Sequence, residues 1–219
     1  MIYQENLMNP KQTYYKTQAE TIIRHLEKRR MKGYYCSSKE EALDTAMSLT
    51  ASQTSVSFGG SMTLAETGIL DALKSRTDIR LTDRSLAKTP EEIKQAYRDS
   101  FSVDTYFMST NAITLDGQLV NVDGNGNRVA ALIYGPDQVI VVAGMNKVTP
   151  TVEDAIRRVR NIASPPNCIR LSRQTPCAST GVCAECLGDD CICSQTVITR
   201  RSGIVHRIKV ILVGEELGY

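Results

Sequence analysis

The chain predicts an α/β fold, a three-layer α/β/α arrangement around a mostly parallel sheet, and three observations carry that expectation. Short apolar runs alternate with amphipathic helical stretches as far as residue 162, the rhythm of strand–helix–strand crossovers. Val139-Ile140-Val141-Val142-Ala143 has no polar face, as a strand covered on both sides requires. The 219 residues, 42% hydrophobic, give length for one sizeable domain and apolar material for a core that needs no disulfides. One domain over 1–219 is therefore expected, with a helical N-terminal segment at about 10–32 and a Cys-rich loop at about 164–196.

Each element has its own signal. Tyr15, Ala19, Ile22, Ile23 and Leu26 lie on one face of a helix over 11–31, which Gly33 is expected to end. Tyr34-Tyr35-Cys36 reads as a short strand, and Ser38 with Glu41 as a capping box opening a helix to about Leu49. Val56-Ser57-Phe58 leads into Gly59-Gly60-Ser61, followed by a helical face of Met62, Leu64, Ile69, Leu70 and Leu73. Ile79-Arg80-Leu81 is a weaker strand, and Pro90 suits the start of a helix through Tyr97. Thr105–Ser109 is a strand, and Asp116-Gly117 between two apolar runs predicts a hairpin because both turn positions tolerate positive φ. Val129–Tyr134 reads as helical, a further helix over about 151–162 places Val152, Ile156, Val159 and Ile162 inward, and Ile208–Val213 returns to the sheet.

Composition excludes several classes. Twenty-six Lys and Arg against 24 Asp and Glu, with no Trp, argue against a dedicated nucleic-acid binder, which shows a basic stripe or a stacking platform. The stretch from Met1 to Pro10 lacks the basic start and apolar run of a secretory signal, and no apolar run approaches about 18 residues, so neither export nor a membrane span is expected. Seven cysteines, five of them between 177 and 193, then point to a reduced, cytoplasmic protein with a metal or redox site rather than to a disulfide framework.

Four segments carry chemistry. The Gly59-Gly60-Ser61-Met62-Thr63 turn places small residues ahead of a helix, where a phosphate, carboxylate or enolate oxygen is favoured; the alternative is a tight turn capped by Ser61 or Thr63, with Glu66 as the capping-box partner of Thr63. Asp123-Gly124-Asn125-Gly126-Asn127-Arg128 resembles the opening of a calcium loop but has Arg128 and Tyr134 where glycine and a bidentate glutamate are needed, which leaves a polar loop ending in a guanidinium fork, or a turn held by its own side chains. Lys147 and Asn146 follow the buried strand at its carboxyl end, where Lys147 is either a site cation or a solvated lysine. His25 and His206 sit among charged neighbours, which makes a Ser-His-Asp hydrolase improbable. Cys183-x-x-Cys186 is a chelating pair that Cys177 and Cys193, or Cys191, would complete as a four-thiolate shell; zinc and an iron–sulfur cluster both remain open.

Gly59–Leu64, the stretch Ala112–Ala130 with its Asp-Gly-Asn-Gly-Asn-Arg segment, and Val139–Lys147 together resemble the LUD domain, the lactate-utilisation protein family, over about residues 10–215. Thr175-Pro176-Cys177 with Cys183 and Cys186 resembles a cysteine-bearing branch, in which Cys193 aligns with the fourth cysteine and Cys191 is an extra thiol. The resemblance implies a fold similar to ribose-phosphate isomerases and CoA transferases (the NagB/RpiA/CoA transferase-like group) and a link to L-lactate oxidation through a multi-protein iron–sulfur system. Asn111 stands where the related isomerase turn carries its acidic residue, and no glutamate nucleophile of the CoA-transfer type is evident.

The expected site is accordingly a small-anion site between residues 59–66 and 121–128, with Asn111, Asn121 and Lys147, and with Glu66 or Asp123 as proton carrier. Its expected ligand is a small carboxylate or phosphorylated metabolite, held by Arg128 and supported by the Gly59-Gly60-Ser61 amides. The rival expectation is a non-catalytic accessory or electron-relay subunit docking lactate-utilisation partners, or a binding domain with a structural zinc loop. Oligomeric state is open, a homo-oligomer included.

Overall fold

The computed structural model describes residues 9–219; residues 1–8, which belong to the stretch tested for an export signal, lie outside it. Helix α1 (Pro10–Lys28) starts at Asn9, whose side chain accepts from Lys11 N, with Pro at the first position where its missing N–H costs nothing. It ends four residues before Gly33. The expected stop at Gly33 is corrected: this glycine lies within β1 (Lys32–Cys36), where a Cβ would stand 2.7 Å from the Ile23 side chain, so its lack of one lets α1 lie directly on the strand.

Helix α2 (Lys39–Ser48) is capped by Ser38, though Glu41 bonds the Ser37 N–H rather than that of Ser38. After β2 (Ser55–Phe58) come α3 (Met62–Glu66), α4 (Ile69–Ser75) and β3 (Arg80–Thr82). Helix α5 (Pro90–Asp99) carries a full capping box between Thr89 and Glu92. Strand β4 (Thr105–Ser109) passes into the hairpin of β5 (Ala112–Thr114) and β6 (Leu119–Asp123), turned at Gly117 with φ +84°. Helix α6 (Asn127–Ile133), β7 (Gln138–Gly144), β8 (Val148–Thr149) and α7 (Val152–Arg158) follow. The chain closes with α8 (Ser164–Arg170), α9 (Pro176–Thr180), β9 (Gln195–Thr199) and β10 (Ile208–Val213).

Six strands form one all-parallel sheet in the order β1-β10-β7-β4-β2-β3. Alternate residues of a strand belong to opposite faces. Val139, Val141, Val210 and Leu212 pack under α1 with Ala19, Ile22 and Leu26, whereas Ile140, Val142, Ile211 and Val213 pack with Ala42, Ala46, Leu64 and Leu73 of α2–α4. This two-sided burial is the three-layer α/β/α architecture, and it explains why β7 has no polar face. A second sheet, β8-β5-β6-β9, grows from the carboxyl ends of β4 and β7 and folds over that end of the main sheet.

Two further expectations are revised. The helix predicted over 151–162 stops at Arg158 and continues through one wide turn, Val159–Ala163, into α8. That turn changes the helical phase, so Ala155, Arg158, Val159 and Ala163 face inward and Ile162 is left 57% exposed. The Cys-rich stretch is not a continuous loop, since α8 and α9 occupy its first half. No helix among the described residues is long and apolar enough to cross a membrane.

Candidate functional site

The strand order fixes where a ligand would bind. From β2 the chain moves outward to β3 and then returns to place β4 on the other side of β2, so the order reverses between β2 and β4. In open parallel sheets the crevice outside the carboxyl ends at such a reversal is the binding position. Here Gly59-Gly60-Ser61 leaves β2 and Ser109-Thr110-Asn111 leaves β4, and between them opens a cleft of about 290 Å³, a volume suited to a small metabolite.

Lys147 forms part of its wall. It sits in the turn after β7 and is only 4% exposed, with Nζ 2.8 Å from Thr63 Oγ1 and 3.1 Å from Ser109 Oγ. Both partners are hydroxyls. Burial, together with the neighbouring Arg158 and Arg128 charges, lowers the amine from its usual range to about 7, and Glu66 opposes this weakly. Gly218, at φ +59°, closes over this group: a Cβ there would come 2.6 Å from Thr63 Oγ1 and 3.4 Å from Lys147 Nζ.

Arg128 opens α6 and holds the surrounding loops. Its Nε donates to Asp123, Nη1 to Ser109 O and to Asn121 Oδ1, and Nη2 to Asn111 Oδ1 and Val122 O. All five guanidinium N–H groups thus have protein acceptors. This corrects the expectation that Arg128 itself grips the anion: it offers the cleft its charge but no spare donor. Arg158 of α7, buried and pushed down to about 10, ties the same region from behind by donating to Asn111 O and Asn146 O.

Arg84, after β3, is placed differently. It donates to the Tyr97 hydroxyl and lies 5.4 Å from that ring's centroid, and its Nη2 comes so close to Gly60 that a Cβ there would be 2.8 Å away. With Arg128, Arg170 and Arg173, the last paired to Asp190, it gives the cleft wall four guanidinium groups beside the Lys147 amine, against one side-chain carboxylate, Asp123, which is itself bound to Arg128.

Most of the expected site residues meet here: Gly60, Ser61, Thr63 and Asn111, with Asp123, Gly124, Asn125, Asn127, Arg128 and Lys147, all line the cleft. Four lie behind or beside it. Gly59 continues the sheet ladder by donating to Phe107 O, and Asn121 is fully buried against Arg128. Gly126, at φ +81°, is the N-cap of α6. Glu66 accepts from Gly218 N at 2.7 Å, which corrects the Thr63–Glu66 capping box; Ser61 caps α3 instead, and Thr63 turns inward to Lys147. Arg84, Ser109 and Arg158 were not anticipated. A cation or hydroxyl at a strand's carboxyl end or within two positions past it is the signal that finds Ser109 and Arg84.

The thiols present another picture. Among the described residues no three His, Cys, Asp or Glu side chains form a set that could hold a metal ion, so Cys177, Cys183, Cys186 and Cys193, with Cys191 as substitute, are not gathered into one shell. Cys177 Sγ instead lies 3.6 Å from Cys168 Sγ, both buried, and Cys193 contacts Ser164 Oγ at 3.3 Å. Burial pushes the Cys168 thiol up to about 11 and raises that of Cys193.

The family model described as the LUD domain matches residues 19–213. The chain belongs to the LUD domain family. Membership links this LUD domain in general terms to lactate utilisation. Among solved structures it is similar to a DUF162 family protein from Deinococcus radiodurans, with 13% identity, 92% of this chain and 98% of that chain covered, and a TM-score of 0.47. It also matches ribose 5-phosphate isomerase A from Neisseria gonorrhoeae (11% identity, 63% and 69% covered, TM-score 0.34) and eIF2B delta from Chaetomium thermophilum (18%, 66% and 55%, TM-score 0.33). No curated protein matches the chain.

Proposed function

We propose that this LUD domain binds a small anionic metabolite, a carboxylate or a phosphorylated compound of lactate or organic-acid metabolism, in the cleft between β2 and β4. The observation that carries the reading is the imbalance of its wall, four guanidinium groups and the Lys147 amine against a single side-chain carboxylate already bound to Arg128. Arg84 supplies guanidinium donors at one side and Lys147 an amine at the other, while Arg128 and Arg158 hold the loops and add positive potential without giving up their own hydrogen bonds. Asp123 and Glu66 are engaged with Arg128 and with Gly218 N–H, so ligand binding needs neither as a proton carrier.

Isothermal titration with lactate, pyruvate and sugar phosphates checks this. Saturable heat with at least one of them is expected, and Arg84→Ala should weaken it about tenfold, the size of one charge-assisted hydrogen bond. No heat from any of them overturns the reading.

A further inference from the structure

Simple anion binding leaves one feature of the cleft unexplained. A lysine that only attracts an anion is best kept solvated or paired, because burying an ammonium costs several kcal/mol. Lys147 is 4% exposed, and its hydrogen-bond partners are two hydroxyls rather than carboxylates. Thr63 and Ser109 also have backbone acceptors of their own in Leu217 O and Thr110 O, so neither depends on Lys147 for a partner. A neutral amine has two N–H groups and one lone pair. Two hydroxyl acceptors take both N–H groups and leave the lone pair as the remaining direction at Nζ, in a residue that lines the cleft.

We propose that Lys147 is a nucleophile that forms an imine with the carbonyl carbon of an anionic aldehyde or ketone held in the cleft. The inference rests on the anion-binding reading and names its substrate class: a compound bearing both a carbonyl and a carboxylate or phosphate. The Nζ lone pair adds to the carbonyl carbon, and the carbonyl oxygen takes up a proton. The nitrogen gives up that proton and, as the C=N bond forms, its second one, both by way of the adjacent Thr63 and Ser109 hydroxyls, so that the oxygen leaves as water; hydrolysis reverses the sequence. No oxidant or other reactant is required. The groups that set the amine's charge are Arg158 on α7 and Arg128 on α6, which favour the neutral form, and Glu66 on α3, which opposes them. Arg84, across the cleft, would hold the substrate's anionic group.

Trapping with cyanoborohydride tests it. The protein is incubated at pH 7 with pyruvate or with dihydroxyacetone phosphate, the two arms that separate a carboxylate from a phosphate ketone, and the modified lysine is located by peptide mass mapping. Lys147 should be labelled about a hundredfold faster than the exposed lysines, which are almost wholly protonated at that pH. Arg84→Ala should slow its labelling, and Lys147→Arg should abolish it. Saturable binding of either ketone without label on Lys147 overturns the imine and leaves the anion site standing. Absence of both binding and label overturns the two together. If Lys147→Arg does not fold, the wild-type comparison of Lys147 with the exposed lysines decides the matter alone.

Discussion

The cleft and the cysteine-rich segment are opposites in how their chemistry is distributed. The cleft draws Gly60, Arg84, Ser109, Arg128 and Lys147 from five separate places in the chain, and the fold brings them to one end of the parallel sheet. The cysteine-rich segment concentrates five thiols between 177 and 193, yet among the described residues no three of them form a set that could hold a metal, Cys186 meeting Cys191 and Cys177 meeting Cys168 from the preceding helix. Density of reactive residues in sequence therefore says less about a site than strand ends do. A site is assembled where strands stop, and its members need no local signature.

The largest effect that would break this contrast is at Arg128. Its five donors satisfy acceptors on β4's end, on the turn between β4 and β5 and on β6. Arg128→Ala leaves the half-buried Asp123 carboxylate and several carbonyls unpaired, so a loss of about 3–5 kcal/mol is expected in urea unfolding. Arg128→Lys should recover less than half of it, because an ammonium cannot reach acceptors spread around a planar fork. A loss under about 1 kcal/mol would mean that the guanidinium is held for a ligand rather than for the loops.

Arg128 also marks how far sequence reasoning reached. The loop's wealth of polar groups singled out the region, and the strand ends at Gly60 and Lys147 meet it in the cleft. The role of the guanidinium was not legible, because a fork that meets a ligand and one that meets five carbonyl and carboxylate oxygens look alike in sequence. The strands β7 and β10 were plain from their apolar runs. Gly33 was misread because a glycine that allows close packing and one that ends a helix leave the same mark, and the inward Arg158 was hidden by the wide turn that follows it.

Lys147 gives the next largest effect and carries a sign. Its native value of about 7 lies below the 10.5 of an unperturbed lysine. Between those two values the unfolded chain binds the extra proton, so wild-type stability should rise with pH through that window and be flat in this respect below about 7. Lys147→Met removes the dependence. It should also stabilise the protein by about 1–3 kcal/mol at pH 7, since a buried amine gives way to an apolar group of similar length while Thr63 and Ser109 keep backbone acceptors. Ligand binding should fall in the same variant. Equal slopes of stability against pH, from 7 to 10.5, in wild type and variant would show that the amine is solvated, and the cleft would lose its special character.

The smallest effect sharpens the comparison from the other side. Cys183 and Cys186 are half-exposed and share no ligand set with the other thiols. If the segment's thiols stand apart, Cys183→Ser/Cys186→Ser should change stability by no more than about 0.5 kcal/mol, the range of ordinary surface substitutions. Ligand affinity in the cleft should stay within about twofold of wild type, because neither residue lines it. The measurement is made on protein prepared anaerobically with added zinc and again with a chelator. A loss of several kcal/mol confined to the metal-replete wild type would show that a metal draws the thiols together, and the two regions would then differ only in how they are assembled.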